Sequence, residues 1–216
     1  CNAVLPDYVS LLSITASDNC TAAEDMVFTQ SPEAGTSLTG GHNSEETVTI
    51  TADDGNGNTV DCSFTVVVKD ETSPTIQDLP ANISVNNDAD QCGAVVSWTA
   101  PTPADNCLNP GIAQTAGLTS GELFPIGTTP VSYQATDGAG NTHTESFTVT
   151  VSDNQNPEIA CPDAIAVSAD AGKDYATVTY TTPSGTDNCV GATTTQTAGL
   201  SSNSQFPIGT TINTFE

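Results

Sequence analysis

The feature that most constrains this chain is an internal repeat, in which two segments recur almost verbatim at the same spacing. The segment QTAGL stands at 114–118 and again at 196–200, and FPIGTT stands at 124–129 and again at 206–211. Self-similarity at a fixed period is typical of a chain that folds as a series of like modules. The 216 residues therefore predict an array instead of one continuous domain.

Further landmarks divide this array into modules. They are the triplet Asp-Asn-Cys at 18–20, 105–107 and 187–189, the turn sequences DGNGN at 54–58 and DGAGN at 137–141, and Asp-x-x-x-Pro at 70–74 and 153–157. If each module opens at Asp-x-x-x-Pro, residues 70–152 form a complete one. Residues 1–69 then lack an opening strand and residues 153–216 lack a closing hairpin, as expected of a window cut from a longer array.

Within a module, apolar residues alternate with polar ones at a period of two, which predicts β-strands. The clearest runs are Ala94, Val96 and Trp98, then Val131, Tyr133 and Ala135, then Phe147, Val149 and Val151. Turn residues interrupt these runs at intervals of about 8 to 12, the pattern of a β-sandwich with about seven strands. The segment 137–141 reads as a hairpin turn with Gly and Asn at positive φ. We therefore predict an all-β fold of tandem immunoglobulin-like β-sandwich domains in a linear array.

Composition excludes several classes of partner. The chain carries 26 Asp and Glu against 2 Lys and Arg, a formal net charge of −24. Such a polyanion repels nucleic acid and anionic lipid surfaces, so the expected partners are cations and neighbouring repeats of the same chain. No apolar run is long enough to span a membrane and the N-terminus has no leader pattern, so we expect any anchor or export signal outside this segment.

Seven cysteines without Cys-x-x-Cys spacing favour disulfides in an oxidising, extracellular compartment over zinc. Cys1 precedes Cys20, and Cys92 precedes Cys107, by short stretches of similar length. Each pair is predicted to staple the start of a strand to the loop at its far end. By loop-closure entropy, each link adds about 3 kcal/mol.

Cys62 and Cys161 are predicted to bond to cysteines outside the segment. The central module has Glu145 and Leu79 at the two equivalent positions, and joint loss is expected of residues that are bonded to each other. The expected partner position of Cys189 holds Asp174. Two alternatives follow for Cys189, a free thiol or a bond to Cys161.

Taken together, these motifs resemble the hyalin repeat (HYR) family. The matching elements are Asp-x-x-x-Pro, Cys161-Pro162, Asp-Asn-Cys, FPIGTT, DGAGN and the segment CSFTV at 62–66. The resemblance implies an immunoglobulin-like fold and extracellular adhesion or matrix roles, usually as tandem modules of a large protein. The acidic, arginine-free sequence further resembles arrays in large bacterial cell-surface adhesins.

Nothing in the motifs indicates an enzyme. His42 and His143 fall at non-equivalent positions and are expected to be ordinary solvated residues. The sequence contains no Gly-x-Ser-x-Gly elbow, no His-Glu-x-x-His and no phosphate loop.

Sandwich topology predicts that three acidic segments of the central module meet at its N-terminal pole. Carboxylate, amide and carbonyl oxygens are the ligands that Ca²⁺ takes, so we predict calcium at the inter-domain junctions. The predicted ligands are Asp70, Glu71, Asp105, Asn106, Asp137 and Asn141, with Asp153 and Asp187 in the third module.

The leading functional hypothesis is a structural and adhesive stalk. Its modules would give length and rigidity to a large extracellular surface protein and support cell adhesion. One alternative is a binding module whose pole loops recognise a surface glycan or protein. The other is a non-catalytic accessory region of a secreted hydrolase.

Overall fold

The structure, a computed structural model, describes residues 3–107 and 109–216. Its described part is almost entirely β, with helix confined to α1 (Tyr8–Leu11) and a 3-10 turn (Ala23–Asp25). The first ten strands are β1 (Ala3–Val4), β2 (Val27–Ser31), β3 (Ser37–Leu38), β4 (Glu45–Asp53), β5 (Thr59–Val67), β6 (Thr75–Gln77), β7 (Ile83–Asn86), β8 (Gly93–Val95), β9 (Thr102–Ala104) and β10 (Gly111–Ala116). The others are β11 (Leu123–Pro125), β12 (Gly127–Thr136), β13 (Thr142–Ser152), β14 (Tyr175–Val178), β15 (Gln196–Ala198), β16 (Ser204–Pro207) and β17 (Thr214–Phe215).

The chain forms two compact units, and the central repeat contributes residues to both. The first unit contains the residues up to Ala81 together with Thr99–Gly117 and Pro130–Phe147. The second contains Asn82–Trp98, Leu118–Thr129 and Thr148–Glu216.

In the first unit, β4 is the centre of the antiparallel sheet β2-β4-β5, and β1 pairs with β3. The antiparallel pairs β6 with β9 and β10 with β12 also lie there. In the second unit, β8 pairs with β11, β14 with β16 and β15 with β17, all antiparallel. The parallel pair is β7 with the end of β13, where Val149 faces Ile83.

The period seen in the sequence reappears in the strand register. An alanine faces a large apolar residue in each repeat, in the pairs Ala3 and Leu38, Ala94 and Phe124, and Ala176 and Phe206. The pairs β10 with β12 and β15 with β17 also share one irregularity, between Gln114 and Ala116 and between Gln196 and Ala198. Together with the sandwich-like sheets, this confirms the prediction of all-β, immunoglobulin-like modules.

The alternating runs bury the face that their periodicity predicts, because successive side chains of a strand point to opposite sides. Ala94 and Val96 are buried, whereas Val95 between them is 57% exposed. The longer runs are buried in the same way, at Val131, Tyr133 and Ala135, and at Phe147, Val149 and Val151. In the first repeat, a buried cluster comprises Leu5, Leu38, Val48, Ile50 and Val68.

The predicted hairpin turn lies between β12 and β13, and its glycine has the expected backbone conformation, with φ of 93° at Gly140. Asn141 is not among the residues at positive φ, so that part of the prediction is wrong. Its side chain supports the turn by donating to Asp137 Oδ2. The corresponding turn of the first repeat, residues 54–58, joins β4 to β5, as the hairpin interpretation of that segment predicted. Among the described helices, none has the length and apolar character needed to cross a bilayer.

Replacing Phe124 by Ala should destabilise the central repeat by about 3 to 5 kcal/mol, since its fully buried ring leaves a cavity. The ring contacts Trp98 edge to face, with centroids 5.8 Å apart. As Trp98 is the single tryptophan, urea unfolding followed by its fluorescence reports on this core. The matched control is Leu123→Ala, at a neighbouring position that is 48% exposed, for which a loss of about 1 kcal/mol is expected. Equal losses would contradict the assigned strand face.

Candidate functional site at the repeat junctions

Each Asp-Asn-Cys triplet forms the same turn. The aspartate carboxylate accepts a hydrogen bond from the backbone N–H of the cysteine two residues later, at 2.8 Å in Asp18–Cys20, 2.7 Å in Asp105–Cys107 and 2.8 Å in Asp187–Cys189. Aspartate favours this local turn because its short side chain reaches the following backbone. The triplet therefore fixes the cysteine backbone in the same way in all three repeats.

The first junction, as we call the cluster around Asp70, brings two predicted ligand segments together. Carboxylate oxygens of Asp70 and Asp105 and the sulfur of Cys107 lie within 4.8 Å of one another. Asp70 follows β5 and Asp105 follows β9, so the cluster joins a linker to a loop of the next sheet. The third segment reaches it through Asn141, whose Nδ2 donates to the carbonyl of Asp70 at 3.2 Å.

Asp70 is a buried carboxylate with an unsatisfied oxygen. It is 5% exposed, and its Oδ1 accepts from the backbone N–H of Thr72 at 3.2 Å. Its Oδ2 is buried and has no hydrogen-bond partner in the part of the chain that the structure describes. The backbone N–H of Asp70 donates to Nδ1 of His42 at 3.0 Å. A buried carboxylate oxygen without a donor is costly, and a cation would offset that cost.

Asp137 is occupied by internal hydrogen bonds. Its Oδ2 accepts from Asn141 Nδ2 at 2.8 Å, and its Oδ1 accepts from the backbone N–H groups of Asn141 and Ala139 at 2.8 Å and 2.9 Å. Desolvation by burial acts to raise the pKa of Asp137, but these donations outweigh it and hold the pKa below its ordinary value. The carboxylate of Asp137 therefore serves the hairpin turn.

The second junction is the corresponding cluster around Asp153. Carboxylate oxygens of Asp153 and Asp187 and the sulfur of Cys189 lie within 4.8 Å of one another, but Asp153 is exposed, unlike Asp70. The side-chain Oδ1 of Asn188 is buried there without a hydrogen-bond partner in the described chain.

At this second junction, several hydrogen bonds that involve side chains hold the loop between β7 and β8. Gln155 accepts from the backbone N–H of Asp90 at 2.9 Å and donates to Oδ1 of Asp90 at 3.1 Å. The backbone N–H of Asn154 donates to Asn87 Oδ1 at 3.0 Å, and Asn188 Nδ2 donates to the carbonyl of Gln91 at 2.7 Å. The third repeat thereby holds a loop of the central one.

The disulfide pairing differs from the prediction. Cys92 bonds to Cys189 with Cα atoms 4.8 Å apart, so its predicted pairing with Cys107 is wrong, and both alternatives for Cys189 are wrong as well. Cys107 is itself disulfide-bonded. The physical reason is that Cys189 lies beside the loop of the central repeat that carries Cys92, where Asn188 also donates to the carbonyl of Gln91.

The other predicted disulfide cysteines have these outcomes. Cys20 is exposed with a free thiol, so it does not form the predicted staple with Cys1, which lies outside the described residues. Cys62 and Cys161 are also exposed and free. Their bonding to cysteines outside the segment stays a prediction.

Besides Asp137 and Asn141, two more predicted ligands lie outside the two acidic clusters. Glu71 is exposed and belongs to neither cluster. Asn106 is exposed as well, and in the orientation that satisfies its hydrogen bonds its amide nitrogen donates to Asp105 Oδ1 at 3.1 Å. It therefore acts as a donor to that carboxylate.

Sequence reasoning missed the residues that hold the junctions, namely His42, Asp90, Gln91, Gln155 and the Cys92–Cys189 pair. His42, Asp90 and Gln91 lie in loops that the repeat landmarks do not include, and Gln155 is a variable position of the recurring Asp-x-x-x-Pro segment, so no pattern marked them. Recurrence did mark Cys189, through its triplet.

Comparison with known proteins agrees with the repeat pattern. The model of the HYR domain matches residues 69–151 and again 152–215. The chain belongs to the HYR domain family. Two HYR domains therefore follow one another directly, and the matches cover more than half of the chain.

The curated relatives of this HYR chain include two proteins named Hyalin. The chain is 35% identical to the one from Strongylocentrotus purpuratus over 171 residues, which cover 76% of the chain and 14% of that protein. It is 31% identical to the one from Lytechinus variegatus over 212 residues, which cover 93% of the chain and 38% of that protein. The chain thus spans less than half the length of either relative. Both are animal proteins, so the bacterial part of the expectation has no support from them.

Among solved structures, the HYR chain is similar to the protocadherin gammaB7 EC3-6 cis-dimer structure. The identity is 15%, the match covers 85% of this chain and 58% of that one, and the TM-score is 0.33. No conclusion about function rests on a similarity at this level.

The hydrogen bonds of Asp137 predict acid sensitivity. A carboxyl whose folded pKa lies below its unfolded value contributes stability above the unfolded pKa of about 3.9, and that contribution is lost as the pH falls further. Asp137→Asn should therefore lower stability at neutral pH and flatten the decline between about pH 5 and pH 2, measured by unfolding followed by Trp98 fluorescence. Asp163→Asn removes an exposed carboxylate and serves as the control. Parallel pH profiles for the Asp137 variant and the unmodified protein would contradict the account.

Proposed function

We propose that this HYR chain is a structural segment of a large extracellular protein that supports cell adhesion through length and rigidity. The observation that carries the proposal is the second junction, where linker residues 154–155 and the triplet at 187–189 hold the loop of the preceding repeat. A junction with several contacts restricts bending between successive modules. The proposed role is mechanical and involves no catalysis.

Localisation outside the cell is part of the same proposal. A disulfide between repeats persists in an oxidising compartment and is rare in the cytosol. The net charge of −24 keeps neighbouring segments of a long chain soluble and mutually repulsive. The similarity to the two proteins named Hyalin is consistent with this role.

Small-angle X-ray scattering tests the rod. Three modules of about 40 Å each, from strands of about 10 residues, give a rod whose radius of gyration is about 35 Å. A single globule of this length would have a radius of gyration of about 17 Å. A value close to that of the globule would contradict the stalk.

We also propose that Ca²⁺ stiffens the first junction. The supporting observation is Asp70 Oδ2, a buried carboxylate oxygen without a donor in the described chain, beside the carboxylate of Asp105. Ca²⁺ takes oxygen ligands of this kind, and its charge would relieve the repulsion between two carboxylates in one cluster. Asp70 and Asp105 are the residues that would hold it.

Calcium should raise the melting temperature, because a ligand that binds only the folded state stabilises it by mass action. The measurement compares an excess of CaCl₂ with an excess of chelator in the unmodified protein, Asp70→Asn and Glu71→Gln. The increase should disappear in Asp70→Asn and persist in Glu71→Gln, which changes an adjacent, exposed carboxylate. An unchanged midpoint in the unmodified protein would remove calcium from the account and leave the stalk proposal standing.

A binding module is the second candidate function. It is favoured by a pocket at the first junction, whose lining includes Gly41, His42, Asp70, Asn106 and Gly138. This pocket offers backbone groups and carboxylate to a glycan or protein ligand. Binding of the chain to a glycan array, abolished by Gly138→Trp, would favour this function over a purely mechanical one.

A further inference from the structure

We propose that the disulfide between Cys92 and Cys189 carries tension from one repeat to the next and keeps the strands between these two cysteines out of the load path. This inference deepens the proposed stalk role and rests on it for its biological meaning. The bond joins the central repeat to the Asp-Asn-Cys triplet of the third repeat, across 97 residues of chain. It therefore links two successive modules.

A chain pulled from its two ends transmits force along the shortest covalent route. That route follows the backbone to Cys92, crosses the two sulfurs and resumes at Cys189. The strands β8 to β14 lie in the bypassed stretch. Fully extended backbone spans about 3.5 Å per residue, so the bond hides about 340 Å of chain. Unfolding of these strands releases no length while the bond is intact.

The surroundings of the bond add a second set of connections between the same two loops. Asn188, next to Cys189, donates to the carbonyl of Gln91, next to Cys92, at 2.7 Å. Gln155 makes two hydrogen bonds to Asp90. These contacts hold the two loops together beside the sulfurs, so the bond and its neighbours form one attachment point.

The repeat pattern extends the attachment to Cys107. Cys107 occupies the same triplet position as Cys189 and is also disulfide-bonded. In the first repeat, the position that corresponds to Cys92 is residue 1, which lies outside the described residues. In the third repeat the corresponding position holds Asp174, so this series of bonds ends there.

The Cys92–Cys189 bond therefore sets an upper limit on the extended length of the oxidised chain. With this bond the predicted end-to-end length is about 420 Å, compared with about 750 Å for no bond, and a further bond at Cys107 shortens it.

Single-molecule pulling of the full chain through its two termini tests the proposal. The free thiols of Cys20, Cys62 and Cys161 are first alkylated. The oxidised chain should extend to an end-to-end length of about 420 Å at most, and the reduced chain to about 750 Å. A dithiol reductant delivers two electrons and two protons to each disulfide, which becomes two thiols, while the dithiol closes to its own cyclic disulfide.

The oxidised length and one variant decide the proposal. An oxidised end-to-end length of about 750 Å overturns it. Cys92→Ser should lengthen the oxidised chain, because the stretch between Cys92 and Cys189 then enters the load path, and an unchanged length would also overturn the proposal. The matched control Cys62→Ser removes a free cysteine and should leave the extension unchanged.

The test can still be interpreted if Cys92→Ser does not fold or if the stalk proposal fails. If Cys92→Ser does not fold, comparison of oxidised and reduced unmodified protein still measures the hidden length. A compact particle in scattering with a short oxidised extension would contradict the stalk and leave the load path in place. A rod-like particle whose oxidised chain extends fully would support the stalk and contradict the load path.

Discussion

The junction between repeats depends on one covalent constraint, the bond from Cys92 to the Asp-Asn-Cys triplet at Cys189. The hydrogen bonds around it are partly exposed, and such bonds contribute about 1 kcal/mol each at most. A cross-link over a long loop removes far more freedom from the unfolded chain. The triplet turn prepares this bond, because the carboxylate of Asp187 fixes the backbone of Cys189 before any sulfur is joined. Local turn chemistry in one repeat thereby determines how that repeat is attached to its predecessor.

Turn chemistry also accounts for how this chain accommodates its carboxylates. The chain has two lysines and no arginine, and several of its carboxylates accept hydrogen bonds within local turns. The side chain and backbone N–H of Ser10 lower the pKa of Asp7, backbone N–H groups lower the pKa of Asp18, and the side chain of Asn58 lowers the pKa of Asp54. Asp70 departs from this rule, since one of its buried oxygens has no donor in the described chain. That exception is why a cation is proposed at the first junction and not at the hairpin of Asp137.

Sequence patterns predicted the features that depend on local periodicity. They did not predict contacts between residues of different repeats that are distant in sequence. The period of two identified the buried faces of β12 and β13, because in-and-out alternation is a local property of a strand. Topology placed the segments of Asp70, Asp105 and Asn141 near one another, because strand direction fixes which loops share a pole. Disulfide pairing was predicted from spacing along the chain, and the short stretch between Cys92 and Cys107 suited a bond within one module. In an array, however, the nearest sulfur belongs to the adjacent repeat, and no spacing within a module reveals it. The hydrogen bonds between Asp90 and Gln155 were not predicted either, because they also join two different repeats.

The central claim is that successive repeats are covalently joined, and mass spectrometric mapping of disulfides in the unreduced protein tests it most directly. Digestion after acidic residues separates Cys92 from Cys107 at Asp105, so the two pairings give different cross-linked peptides. The account predicts a peptide pair that contains Cys92 and Cys189. A pair that contains Cys92 and Cys107, with Cys189 as a free thiol, would contradict it.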